Sequence, residues 1–235
     1  MGKKLKIRKK IGWFAWFITW VTRTFKKNPK VINLNEEPLP NQCIMIGNHN
    51  AANGPVKYYS FLGRYFMTWG AHQMCEGFLS RRRYLYHIFY RQKLGYSKFR
   101  SAILAVLFGL ISKRVYSSAG IIPVYYDSRL RKTFGYSIDC LEQNVPILIF
   151  PEDSNAGYKD PPEMLWPGFI LTSKAYYAKH GVDLPIYTIY YSRKKLRIII
   201  GKPMYYNELA KNHAKQEILQ IFVDYMKELR DEAEK

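Results

Sequence analysis

Two short stretches carry the residue types from which chemistry could be built. The first is Cys43–Pro55, C-I-M-I-G-N-H-N-A-A-N-G-P, where His49 stands between Asn48 and Asn50. The second, about a hundred residues later, is I-L-I-F-P-E-D-S-N, which sets Glu152 and Asp153 directly behind Phe150 and Pro151. An imidazole changes charge near neutral pH, and a carboxylate beside it can fix its tautomer or bind a ligand. Taken alone, His49 also reads as a histidine that satisfies loop carbonyls. The second turn is what shifts attention to a site.

Both stretches begin as strands. Ile44, Met45 and Ile46 form an apolar run ended by Gly47, and Pro55 is placed to start a helix. Val145–Phe150, V-P-I-L-I-F, is a continuous apolar run of the kind expected in a central parallel strand covered on both faces. His49 and Glu152 therefore fall at carboxyl ends of strands, where open α/β sheets collect their ligands. Two such turns are expected at one sheet edge, which would let Asp153 reach His49 from the opposite turn.

The remaining pattern supplies the frame. A short helix is expected from Pro55 to about Arg64, a strand over Tyr65–Ala71, and helices over Ser80–Arg100 and Ser101–Ser112. Further strands are expected at Gly120–Tyr126, Leu184–Tyr191 and Leu196–Ile200, the last stopped by Gly201-Lys202-Pro203. Helices are expected at Arg129–Gln143, Phe169–Lys179 and roughly Lys211–Glu234, the last with Ile218, Phe222, Tyr225 and Leu229 at helical spacing. Asn28–Gln42, with three prolines among polar residues, reads as a linker or irregular lead-in. Alternating strands and helices predict an α/β fold: a single domain with a largely parallel or mixed sheet flanked by helices. The expected division is 1–27 as a basic, Trp-rich segment and 28–235 as the domain.

Composition bounds the partners. The chain has 235 residues, 48% hydrophobic and 16% aromatic, and a net charge of +19. That charge implies an anionic partner: a membrane surface, nucleic acid or a phosphorylated substrate. The N-terminus reads K-K-L-K-I-R-K-K and then Ile11–Val21 with Trp13, Trp16 and Trp20. This apolar run is shorter than the about 20 residues needed to span a bilayer, and no small-residue cleavage site follows it. Tryptophans at helical spacing beside lysines suit an amphipathic, interfacial helix on an anionic membrane surface. The other reading is an amphipathic helix packed on the domain. Cys43, Cys75 and Cys140 are isolated and odd in number, which favours a reducing compartment over disulfides or zinc. His72, His87, His180 and His213 lack metal-like spacing, and Ser154 lacks a G-x-S-x-G context.

With N-H-N-A-A-N-G-P, G-I-I-P-V, F-P-E, L-P-I and I-G-K-P in that order, roughly Gln42–Met204 resembles the glycerolipid acyltransferases, a family that includes the 1-acylglycerol-3-phosphate acyltransferases. The resemblance implies transfer of a fatty acyl group from an acyl-CoA or acyl-carrier-protein thioester to a hydroxyl of glycerol phosphate or a lysophospholipid, with no metal and no cofactor. It implies that His49 is the general base and that Phe150, Pro151 and Glu152 bind the acceptor's phosphate region. Pro185 matches a positioning proline. It also implies a membrane-associated protein of the cytoplasmic face, peripheral or monotopic. The chain departs from the pattern at several places. Gly54 stands where the family's H-x4-D aspartate would orient the histidine, leaving Asn50, Asn53 or Asp153 to take that role. Tyr126 stands near the family's phosphate-binding arginine, with Arg129 following, and Ser154-Asn155 replaces the threonine-arginine after the third motif. The expected site is therefore His49 and Asp153 as catalytic residues, with Asn50, Asn53, Arg129, Phe150, Pro151, Glu152 and Ser154 around the substrate. A non-catalytic lipid-binding protein of the same fold is the alternative. Nucleic-acid binding, suggested by the basic and aromatic Ser80–Arg100, is not expected because no binding-module motif accompanies it.

Overall fold

The structure, a computed structural model, describes residues 5–50 and 53–235; Lys3 and Lys4 of the basic start, and Ala51-Ala52 of the first turn, lie outside them. In chain order the elements are α1 (Trp13–Phe25), β1 (Lys30–Asn33), β2 (Ile44–Gly47), α2 (Asn53–Phe61), β3 (Met67–Ala71), α3 (Phe78–Tyr84), α4 (Lys98–Ala119) and β4 (Ile121–Val124). There follow α5 (Leu130–Glu142), β5 (Ile147–Ile149), α6 (Gly168–His180), β6 (Pro185–Ser192), β7 (Arg197–Tyr205), α7 (Tyr206–Leu209) and α8 (Lys215–Glu234). A π-helical stretch, Leu85–Lys93, continues α3 towards the start of α4.

The strands form one seven-stranded mixed sheet in the order β1-β7-β6-β2-β5-β3-β4. Every neighbouring pair is parallel except β6 with β7. The fully apolar β2 and β5 lie at its centre because both of their faces must be covered. Side chains alternate across a strand. Ile44, Ile46, Ile147 and Ile149 accordingly pack with Phe169, Phe222 and Met226 of α6 and α8 on one face. Met45, Leu148 and Ile189 pack with Tyr58 and Phe66 on the other. A separate small core of Met74, Leu85, Tyr90 and Ala105 sits under α3, the π-helical stretch and α4. The chain is an α/β domain as expected.

Three local expectations are corrected. The stretch read as a linker contains β1, whose K-V-I-N pairs in parallel with Arg197–Ile200 at the sheet edge. It is mostly exposed, so it shows no alternating apolar signal. β7 does not stop at Gly201: it runs to Tyr205, with Pro203 beyond the residues that pair with β1. A proline is tolerated there because no neighbour needs its N–H. The two expected helices over 80–112 are instead α3 with its π-helical extension and a single 22-residue α4, capped by the Ser97 side chain.

Helix α1 packs on the domain, but by its small and polar face. Ala15, Thr19 and Thr22 are buried, and Gly12 N–H and Ala15 N–H donate to the carbonyl and hydroxyl oxygens of Ser118. A Cβ at Gly12 would fall 2.5 Å from Ser118 Oγ, so only glycine allows this approach. Trp13, Trp16, Phe17 and Trp20 all point outward and stay exposed.

Candidate functional site

The site forms where β2 and β5 end side by side. Asn48, 1% exposed, fastens the end of β2 to that of β6: its Nδ2 donates to Tyr191 O at 3.0 Å, and its Oδ1 accepts from Tyr191 N–H at 2.8 Å and Tyr58 OH at 2.6 Å. With three hydrogen bonds met, the following residue is held in a fixed direction. That residue is His49. Its main-chain N–H donates to Glu152 Oε1, joining the two turns across the parallel β2–β5 pair. Its ring stacks on Tyr158 with centroids 4.6 Å apart and meets the Phe150 ring edge-on at 5.0 Å.

Asn50 takes a left-handed backbone with φ of 41°, a conformation asparagine tolerates better than most residues. Its Nδ2 donates to Asp160 Oδ2 at 2.9 Å, and Asp160 Oδ1 accepts from Tyr190 OH at 2.6 Å. Asp160 thereby ties the loop after Glu152 back to the first turn. The chain then folds tightly into α2, with Asn53 N–H donating to Asn50 O and Gly54 N–H to His49 O. A Cβ at Gly54 would lie 2.6 Å from both Asn48 O and His49 O. The position is closed by main chain, so a carboxylate there would require the turn to be rebuilt.

Glu152 is buried, and its carboxyl is pushed up to about 8 by burial, against the His49 N–H and with Asp160 adding to the rise. Among the described residues no hydrogen-bond partner meets its Oε2. A carboxyl with one oxygen bonded and the other open can donate a proton to, or accept one from, a bound ligand. Lys93, at the end of the π-helical stretch, reaches in beside it. Lys93 Nζ donates to Ser154 Oγ at 2.7 Å and lies over the Tyr158 ring, 5.7 Å from its centroid. Burial pulls this ammonium below its ordinary value, while Glu152 and Asp153 oppose that shift. The neighbouring Gln92 anchors the same helix end to Asn155 O at 3.0 Å.

Of the residues expected from sequence, the structure brings His49, Asn50, Phe150, Pro151, Glu152 and Ser154 together. Asn53 contributes through main chain at the head of α2. Asp153 is adjacent, but its Oδ1 accepts from Asn155 N–H at 3.0 Å and its own N–H donates to Met164 O. It shapes its own turn, and the His49 main-chain N–H goes to Glu152. Arg129 belongs elsewhere. It sits at the start of α5, paired with Asp127 at 2.7 Å and stacked on Tyr125, beyond β4 at the sheet edge. The side chains that sequence reasoning did not name are Lys93, Tyr158 and Asp160. None stands in a motif, and Lys93 reaches the site only because the helical stretch of 78–119 folds over the 151–158 turn.

Other chemistries find little support. Burial pushes the Cys43 and Cys140 thiols to about 12, which leaves no thiolate nucleophile there. No group of three or more metal-ligating side chains occurs among the described residues. A surface groove lined by Met164, Trp166, Lys215 and Leu219 lies at the start of α8, and none of the site residues lines it. No family model and no curated protein sequence matches this chain.

Proposed function

We propose that this protein is an acyltransferase, moving a fatty acyl group from an acyl-CoA or acyl-carrier-protein thioester to a hydroxyl of a glycerol phosphate or lysophospholipid-like acceptor. The observation that carries the reading is the pairing of the His49 and Phe150-Pro151-Glu152 turns at one sheet edge. In this scheme His49 takes the acceptor's hydroxyl proton as its oxygen attacks the thioester carbonyl carbon. The tetrahedral intermediate then breaks its C–S bond, the ester is released, and the departing thiolate takes the proton back from His49. Glu152 Oε2 and Lys93 flank the acceptor, the ammonium matching its phosphate. Asn48 and Asn50 hold the histidine turn in place through Tyr191 and Asp160. The scheme uses no cofactor. Three free cysteines and a strongly basic chain fit a protein bound at the cytoplasmic face of a membrane.

The test is thioester release by the purified protein across a panel of glycerol phosphate and lysolipid acceptors, with His49→Ala as blank. A specific observation favours a second reading, a lipid-binding protein without turnover. The Tyr158 ring covers one face of His49, and Gly54 leaves no room for the orienting aspartate. Acceptor binding with no thioester consumption above the blank would select it.

A further inference from the structure

Helix α4 passes by length and composition as a membrane-spanning segment, with a mean hydropathy of 1.4 over its most apolar window. Its packing says otherwise. Ser101, Ala105, Gly109 and Ser112 are buried: Ala105 packs with Leu85 and Tyr90 of the π-helical stretch, and the buried Arg81 guanidinium of α3 bonds Ser112 Oγ at 3.1 Å and Gly109 O at 3.2 Å. The opposite face carries Phe99, Ile103, Val106, Leu107, Leu110 and Ile111, all exposed, with Leu107 at 58% and Leu110 at 63%. At 1.5 Å per residue this stripe is roughly 20 Å long, well short of the about 30 Å of a hydrocarbon core. Cations stand at both of its ends: Lys98 and Arg100 on either side of Phe99, and Lys113 and Arg114 after Ile111.

The charge map says what can cover such a face. Residues 77–126 hold nine Lys and Arg and not one Asp or Glu, and residues 1–35 hold ten and none. The rest of the chain carries eighteen of each sign, so the whole +19 excess lies in the two stretches that display α1 and α4. A second copy packed along α4 would set cation against cation with no carboxylate to answer them. An anionic lipid surface answers both the charge and the apolar stripe.

We propose that α4 lies in the plane of an anionic bilayer, its Phe99–Ile111 stripe at the level where headgroups meet acyl chains and its basic ends on lipid phosphates. The aromatic face of α1 supplies a second, separate contact of the same kind, with Trp13, Trp16 and Trp20 suited to the headgroup region. This inference does not depend on acyl transfer.

The experiment is co-sedimentation of the full chain with phosphatidylcholine vesicles containing or lacking phosphatidylglycerol. The Leu107→Asp/Leu110→Asp variant and the milder Leu107→Ser/Leu110→Ser are compared with the native protein, folding being followed by thermal melting. The native chain should bind the anionic vesicles more tightly than the neutral ones. The Asp pair should lower that binding by about tenfold or more at an unchanged melting temperature, and the Ser pair by less. Native-like binding of both variants would overturn the proposal. So would a native dimer in solution that either variant converts to monomer without loss of vesicle binding, since that would put a second copy on the stripe. Binding is read here without turnover, so a failure in this assay and a failure of thioester release are told apart.

Discussion

Glu152 Oε1 accepts the main-chain N–H of His49, and this hydrogen bond joins the turns directly after β2 and β5. A carboxylate that holds a histidine's backbone does different work from one that holds its ring. It fixes where the imidazole begins, and the Tyr158 and Phe150 rings lie against the imidazole itself.

His49→Ala should abolish thioester-dependent transfer, a loss of about 10²–10⁴-fold for a general base, while the melting temperature stays near that of the native chain. Turnover equal to the native protein's would remove His49 from the role of base.

Gly54→Asp should not repair the departure from the family pattern. A Cβ at 54 meets two carbonyl oxygens at 2.6 Å, so the variant is expected to lose stability by about 1–3 kcal/mol and to gain no activity. Urea denaturation and the transfer assay check both halves. A more active, equally stable variant would show that the turn rebuilds itself readily.

Glu152 sets a pH dependence of stability. Its folded-state value, about 8, lies above the ordinary 4.5, so the folded protein holds the proton more tightly than the unfolded chain does. The contribution is complete below about pH 4.5 and is lost as pH rises towards 8, so native stability should fall across that window. Glu152→Gln should flatten this fall while keeping an acceptor oxygen for His49 N–H. An identical slope in the two proteins, measured by urea denaturation at stepped pH, would argue against a buried protonated carboxyl.

Lys93→Met should raise the acceptor KM far more for phosphate-bearing acceptors than for neutral ones, with kcat less affected. The effect expected for one charged contact of this kind is about tenfold or more. Equal effects on charged and neutral acceptors would mean that Lys93 only braces Ser154 and Tyr158.

Asp153→Asn and Asp160→Asn should separate in the opposite sense to the sequence-based expectation. The amide at 153 can still accept from Asn155 N–H, and activity should change little. At 160 the amide replaces a charged acceptor shared by Asn50 and Tyr190, so both the turn and turnover should suffer. A larger loss at 153 would restore the orienting role to that carboxylate.

The central strands were legible because β2 and β5 are buried on both faces and so are written as unbroken apolar runs. The meeting of the two turns followed from both ending such strands, although the carboxylate expected to reach His49 was Asp153 and the one that accepts its main-chain N–H is Glu152. β1 was hidden because an exposed edge strand needs no apolar pattern, only main-chain partners in β7. The break before α4 falls between Lys93 and Lys98, a few residues ahead of the expected boundary at Arg100–Ser101. Apolar spacing over 80–112 fits an α-helix, whereas residues 85–93 take a π-helical register in which Leu85 and Tyr90 pack with Met74 and Ala105. Lys93 and Asp160 were illegible because their partners, Ser154 and Asn50, lie far away in the chain. Arg129 was placed by its distance from G-I-I-P-V. A partner two residues away, Asp127, claims its guanidinium instead.

The Asp160 link makes the segment after Glu152 a closed handle: one end is fixed to β2 by the Glu152–His49 bond and the other by Asn50 and Tyr190. Tyr158 rides on the bow of that handle, outside the sheet. An engineer could therefore exchange residues 154–159 as a cassette, retuning which head group reaches the imidazole while the strands and their hydrophobic layers stay untouched.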